Sequence, residues 1–165
     1  MRYAKIKPND VANGQGIVVS LWTQGCPHRC EGCHNQETWD FKGGEEFTYK
    51  EVNYILESLE KDGIKRDLSI LGGEPLCAAN YDGVIGLIDI VKKEKPDTKI
   101  YLWTGYTFEE LISKHNIKEF KNIDVLIDGK FEIDKKDLTL KMKGSSNQRV
   151  INMKKTLKEN KIILY

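Results

Sequence analysis

Gly16-Ile-Val-Val-Ser-Leu-Trp-Thr23 runs, through Gln24-Gly25, straight into Cys26-Pro-His-Arg-Cys30-Glu-Gly-Cys33. The first eight residues are short, β-branched and almost continuously apolar, the pattern of a strand covered on both faces. The turn signal Asn13-Gly14 sets its start. Three more runs of this kind follow: Leu68-Ser-Ile-Leu71, ending at Gly72-Gly73, then Ile100-Tyr-Leu-Trp-Thr104, then Val125-Leu-Ile127. Helical patterns separate them. Thr48-Tyr-Lys-Glu51 is a capping box, and Val52, Ile55, Leu56 and Leu59 carry the helical period over 48–61. Val84, Leu87, Ile88 and Val91 mark a second helix, stopped near Pro96, and Thr107-Phe-Glu-Glu110 caps a short third.

Strands alternating with helices at this pitch predict parallel βαβ units with right-handed crossovers. The residues with chemical potential all come just after a strand: the cysteines after the first, Gly-Gly-Glu-Pro after the second, Trp-Thr-Gly-Tyr after the third and Asp-Gly-Lys after the fourth. In parallel α/β sheets and barrels the carboxyl ends of the strands share one face, where ligands bind, so these loops are expected to converge. At 165 residues the chain is too short for a full eightfold barrel of about 250 residues. The expectation is a single α/β domain over 1–165, an open partial (β/α) barrel of parallel strands with outer helices. Neither an internal repeat nor a low-complexity tract interrupts it.

Apolar residues make up 39% of the chain and charged residues 31%, the composition of a soluble globular protein. No apolar run approaches the roughly 20 residues that span a bilayer, and the N-terminus has no apolar signal segment, so a cytoplasmic protein without a membrane partner is expected. Lys and Arg number 26 against 25 acidic residues, which leaves no global field to attract nucleic acid. The balance is uneven. From Lys130 onward ten basic residues face four acidic ones, so this segment carries +6 and the rest of the chain −5. A lysine-rich solvated surface and a docking face for an acidic protein partner both fit that asymmetry.

Four cysteines in a cytosolic chain argue for metal or catalysis rather than disulfides, and three of them fall within eight residues. Cys-x3-Cys-x2-Cys spacing lets one tight loop wrap three thiolates, the preferred ligands of iron-sulfur clusters, around a small inorganic core. A four-iron cube held by only three cysteines keeps one iron open to another ligand, and Gly32 allows the backbone to come close. Structural zinc with a fourth ligand from His28, His34 or Cys77, or a thioredoxin-like pair at Cys30 and Cys33, are other uses of these thiols. Gly72-Gly73-Glu74-Pro75 bends sharply after its strand and offers carbonyls and a carboxylate to a ligand carrying an ammonium group, or forms a plain strand-to-helix turn. Cys77 reads as a small buried hydrophobe. Trp22, Trp39 and Trp103 read as core or site walls.

The two motifs in this order resemble the radical S-adenosylmethionine (SAM) superfamily. Cys33-His-Asn-Gln-Glu-Thr-Trp-Asp40 is similar to the glycyl-radical-enzyme activases. Gly144-Ser-Ser-Asn-Gln-Arg-Val-Ile151, with the short length, resembles the activating proteins of anaerobic (class III) ribonucleotide reductase. The likeness runs from about Asn13 to Ile151. Many superfamily members carry an aromatic residue where this chain has Gly32, a departure that favours the reductase-activase branch.

The resemblance implies a radical SAM barrel, a [4Fe-4S] cluster on Cys26, Cys30 and Cys33, and SAM bound at the open iron. It implies reductive cleavage of SAM to methionine and a 5'-deoxyadenosyl radical, which makes a glycyl radical on the large subunit of the anaerobic reductase. Gly72, Gly73 and Glu74 would hold the methionyl amino group, with Gly32 and His34 flanking the cofactor. Thr104, Asp128 and Lys130 would face its ribose, sulfonium or carboxylate by their strand-end positions. Arg149 is a contact to the cofactor carboxylate or to the partner, or a cap on turn carbonyls. An external one-electron donor of flavodoxin or ferredoxin type is implied, because no further cysteine cluster is present. An activase of a formate-lyase-type enzyme, a small-molecule radical SAM enzyme such as a deazapurine synthase, and a non-catalytic zinc or iron-sulfur binding module are the alternatives.

Overall fold

The computed structural model describes residues 1–165. Eleven elements follow in chain order: β1 (Arg2–Asp10), β2 (Val18–Thr23), β3 (Glu45–Glu46), α1 (Tyr49–Ser58), β4 (Asp67–Gly72), α2 (Tyr81–Glu94), β5 (Ile100–Trp103), α3 (Phe108–Lys114), β6 (Val125–Asp128), β7 (Arg149–Asn152) and α4 (Met153–Glu159). The strands form one seven-stranded sheet in the order β3-β1-β2-β4-β5-β6-β7. Its end strands do not pair with each other, so the sheet is open.

The four apolar runs are the four central strands, and they pair in parallel. Val18 to Thr23 register one for one with Asp67 to Gly72, which brings the carboxyl ends of β2 and β4 level. Alternation then sorts the side chains. Val19, Leu21, Leu68, Ile70, Ile100, Leu102 and Leu126 face the apolar stripes of α1, α2 and α3 in a buried cluster of 22 residues. On the opposite face Tyr101, Val125 and Ile127 pack against Trp103, Met142 and Val150 beside a hollow of about 850 Å³. Thr48 caps α1 and Thr107 caps α3, each with the reciprocal bond of a capping box from Glu51 and Glu110.

The all-parallel expectation fails at the sheet's flanks. β1 runs antiparallel to β2 and β3, and β7 runs antiparallel to β6. β1 carries Arg2, Lys5, Lys7 and Pro8 and has no apolar run to announce it. Its Pro8 falls where the register with β2 shifts between Lys7 and Asp10, the kind of irregularity that tolerates a residue without an N–H. Arg2 anchors the strand by donating to the carbonyls of Gly43 (2.7 Å) and Gly44 (2.6 Å). No helix is long and apolar enough to cross a membrane.

Candidate functional site

The loops after β2, β4, β5 and β6 converge. Cys26, Cys30, Cys33, Gly72, Gly73, Glu74, Thr104, Gly105 and Gly129 line one cavity of about 150 Å³, together with His28, Trp39, Trp103 and Phe131. Backbone bonds lace the first two loops: Gly73 N–H donates to the Thr23 carbonyl (2.9 Å), Glu74 N–H to Gly25 (2.8 Å) and Gly25 N–H to Thr38 (2.8 Å). The Gly-Gly-Glu-Pro backbone is thereby pinned against the root of the cysteine loop.

All four cysteines are free thiols. Burial pushes the Cys26 thiol up, against the backbone N–H groups of His28 and Arg29, which favour its thiolate. Burial also raises Cys30, opposed by the Phe131 N–H and the charge of Lys130. Cys33 accepts from the Asn35 N–H at 3.4 Å. No group of three or more His, Cys, Asp or Glu side chains closes on a single metal ion. The thiols instead share the wall of a cavity, an arrangement suited to a multi-iron core, and the donor set is soft sulfur. The indole Nε1 of Trp39, on the same wall, is buried without a hydrogen-bond partner. An orphaned buried donor costs about 1–3 kcal/mol. These residues fit an iron-sulfur cluster.

The remaining expected site residues divide. Thr104 lines the cavity, with its hydroxyl donating to Glu74 Oε1 at 2.7 Å. Glu74, expected to present its carboxylate to a ligand, is fully buried and bonded to its neighbours: Thr104 and the Leu76 N–H (2.9 Å) meet Oε1, while His28 Nε2 (2.8 Å) and the Gly105 N–H (2.7 Å) meet Oε2. Asp128 does not line the cavity. Its fully buried carboxylate accepts from the Phe108 N–H at the start of α3 (2.7 Å) and from Arg149 Nε (2.9 Å). Arg149 also forks onto Glu109 at 2.9 and 2.6 Å, so it ties α3 to β6. That bridge, rather than a cofactor contact or a turn cap, uses its donors.

Lys130 is exposed outside the cavity, where its charge still favours the Cys30 thiolate. His34 is also exposed, its ring 5.7 Å from that of Phe131. Gly32 sits at φ 69° against the Ile133 and Phe131 side chains. Cys77 is buried, as a small hydrophobe would be. Sequence reasoning missed His28, weighed only as a fourth zinc ligand, because nothing local ties it to Glu74, 46 residues away.

Residues 12–151 match the family model described as a 4Fe-4S single cluster domain. Over 149 residues the chain is 42% identical to an anaerobic ribonucleoside-triphosphate reductase-activating protein of Vibrio cholerae, covering 90% of this chain and 96% of the relative. A protein of the same name from Enterobacteria phage T4 is 40% identical over 91% of this chain and 93% of its own length. Another from Escherichia coli is 37% identical over 93% of this chain and 100% of its own.

Proposed function

The chain belongs to the family of anaerobic ribonucleoside-triphosphate reductase-activating proteins, with its 4Fe-4S single cluster domain, and from that premise we propose how its cavity works. The protein is an iron-sulfur activating enzyme of anaerobic ribonucleotide reductase. Cys26, Cys30 and Cys33 hold the cluster, and SAM binds beside it. When bound, the cluster supplies the electron that cleaves the SAM sulfonium to methionine and a 5'-deoxyadenosyl radical, which takes a hydrogen atom from a glycine of the reductase.

The single observation that carries this reading is the shared cavity: three thiols and the Gly72-Gly73 backbone meet on one wall, brought from two loops about 40 residues apart. The chain's own work is to bind and exclude. Carbonyls of Gly72 and Gly73 offer acceptors to the methionyl ammonium, and Trp39, Trp103 and Phe131 wall the cavity against water. Asp128 and Lys130 act from outside that wall. The open sheet serves as a partial barrel of the radical SAM type, closed by the reductase. Electrons come from an external donor of flavodoxin or ferredoxin type, since three of the four cysteines are committed to one cluster.

The test is anaerobic reconstitution with iron and sulfide, chemical reduction, and addition of SAM and the anaerobic reductase, beside a Cys30→Ala control. Formation of 5'-deoxyadenosine and a glycyl-radical EPR signal, both absent in the control, is the expected result. A protein that takes up zinc, or a reduced cluster that leaves SAM intact with the reductase present, would overturn the reading.

A further inference from the structure

We propose that His28 is a positioning residue that acts through Glu74, locking the cysteine loop onto the loops after β4 and β5 and so setting the Gly72-Gly73 backbone against the thiols. The inference rests on the functional reading above and concerns how that site is held in shape.

Three observations carry it. Pro27 to Gly32 belong to no helix or strand, and from this span the His28 side chain reaches the loop after β4, bonding Glu74 Oε2 at 2.8 Å. Both partners are sequestered, with side-chain exposures of 7% and 1%. Second, the four donors on the Glu74 carboxylate come from three loops, His28 from the first, Leu76 from the second, Thr104 and Gly105 from the third. A carboxylate so engaged is a joint between loops, and a ligand ammonium is left to the backbone carbonyls beside it. Third, the His28 ring is seated. A Cβ on Gly105 would stand 2.4 Å from His28 Cδ2, so glycine is what lets the ring in, and the Tyr106 ring meets it edge-on at 4.5 Å.

Without this bond the Cys26-to-Cys30 span would keep its thiols but lose its register against Gly72-Gly73. A group that acts through another also gives non-additive substitutions, whereas independent groups add.

The experiment compares wild type with His28→Ala, His28→Gln, Glu74→Gln, the His28→Ala/Glu74→Gln pair and Gly105→Ala. Two readouts are used: amide hydrogen exchange of residues 26–33 in the metal-free chain, and SAM affinity of the reconstituted, reduced protein followed by EPR. His28→Ala is expected to speed exchange in 26–33 while leaving β4 protected, and to weaken SAM binding about tenfold, the scale of other supporting contacts around a metal site. His28→Gln, which keeps a donor, should recover part of that loss, and the pair should be no worse than the more affected single variant. Gly105→Ala, which evicts the ring with both partners intact, should reproduce the His28→Ala phenotype.

Additive losses in the pair, or unchanged exchange and affinity in both His28→Ala and Gly105→Ala, would overturn the proposal. Should His28→Ala fail to fold, Gly105→Ala and Glu74→Gln decide on the same readouts. A wild-type protein that binds no SAM defeats the functional reading itself, an outcome separable from a wild type that binds SAM and variants that match it.

Discussion

Gly72 ends β4 at φ 105°, and a Cβ there would stand 2.7 Å from Trp22 Cα and 2.8 Å from Thr23 N, both backbone atoms of β2. Neither can swing aside as a side-chain tip could. Gly72→Ala is therefore expected to destabilise the protein by about 2–4 kcal/mol, combining positive-φ strain with a backbone clash, and to be visible in denaturant unfolding of the metal-free chain. An unchanged midpoint would show that β2 and β4 separate more freely than their one-for-one register implies. In the sequence this glycine reads as room for a ligand; its immediate neighbour proves to be the adjoining strand. The three cysteines and Gly72-Gly73 were legible because each sits in a short motif with its own chemistry. The joining of Glu74 to His28, Thr104 and Gly105 was not, because those partners are 46, 30 and 31 residues distant and only the fold brings them together.

At the scale of elements, Asp124 fastens three pieces of the structure just before β6. Its carboxylate meets Lys92 of α2 (2.8 Å), Lys154 of α4 (2.8 Å) and the Ile100 N–H of β5 (2.9 Å). Burial alone would raise its pKa, but the hydrogen bonds from Lys154, Lys92 and Ile100 outweigh it and hold the carboxyl below the usual value. A depressed folded-state pKa means stability that is complete above the unfolded value of about 3.9 and is lost as pH falls through the folded one. Asp124→Asn should cost about 2 kcal/mol at pH 7 and much less near pH 2, so the two proteins' unfolding free energies converge in acid. Parallel offset curves across that range would refute the assignment. The central strands and α1 to α3 were readable from apolar runs, helical periods and capping boxes. α4 was not, because its seven residues bury only Met153 and Thr156 and carry no long apolar stripe; β1 and β7 were not, because their residues are charged or mixed and ladder bonds to a neighbouring strand rather than an apolar run define them. Arg149 shows this well, since it reads as a loop residue yet opens β7 and spans to α3.

For the molecule as a whole, the charge asymmetry has a place in the fold. The hollow of about 850 Å³ on the helix-free face is lined by Lys99, Lys141, Lys143 and Arg149 and by no acidic residue. Gln148 lines both this hollow and the thiol cavity, so the two are neighbours at one end of the sheet. Arg149 is held by Asp128 and Glu109, and Lys143 donates to the Gln148 carbonyl at 2.9 Å, but Lys99 and Lys141 are exposed and enter no salt bridge. Two free cations beside apolar Tyr101, Val125 and Val150 make a surface whose attraction for an acidic segment is screened by salt over a Debye length of about 10 Å at 0.1 M. Association with the reductase is accordingly expected to weaken several-fold when salt rises from about 50 to 300 mM, mostly through a slower on-rate. Lys99→Gln/Lys141→Gln should flatten that salt dependence and raise the reductase concentration needed for half-maximal glycyl-radical formation. SAM affinity should stay at the wild-type value, because neither lysine lines the thiol cavity. Binding kinetics at two ionic strengths for wild type and double variant would decide it. A salt-insensitive complex would assign the contact to the apolar floor, and an unaltered slope in the variant would place the electrostatic contact elsewhere on the basic C-terminal segment.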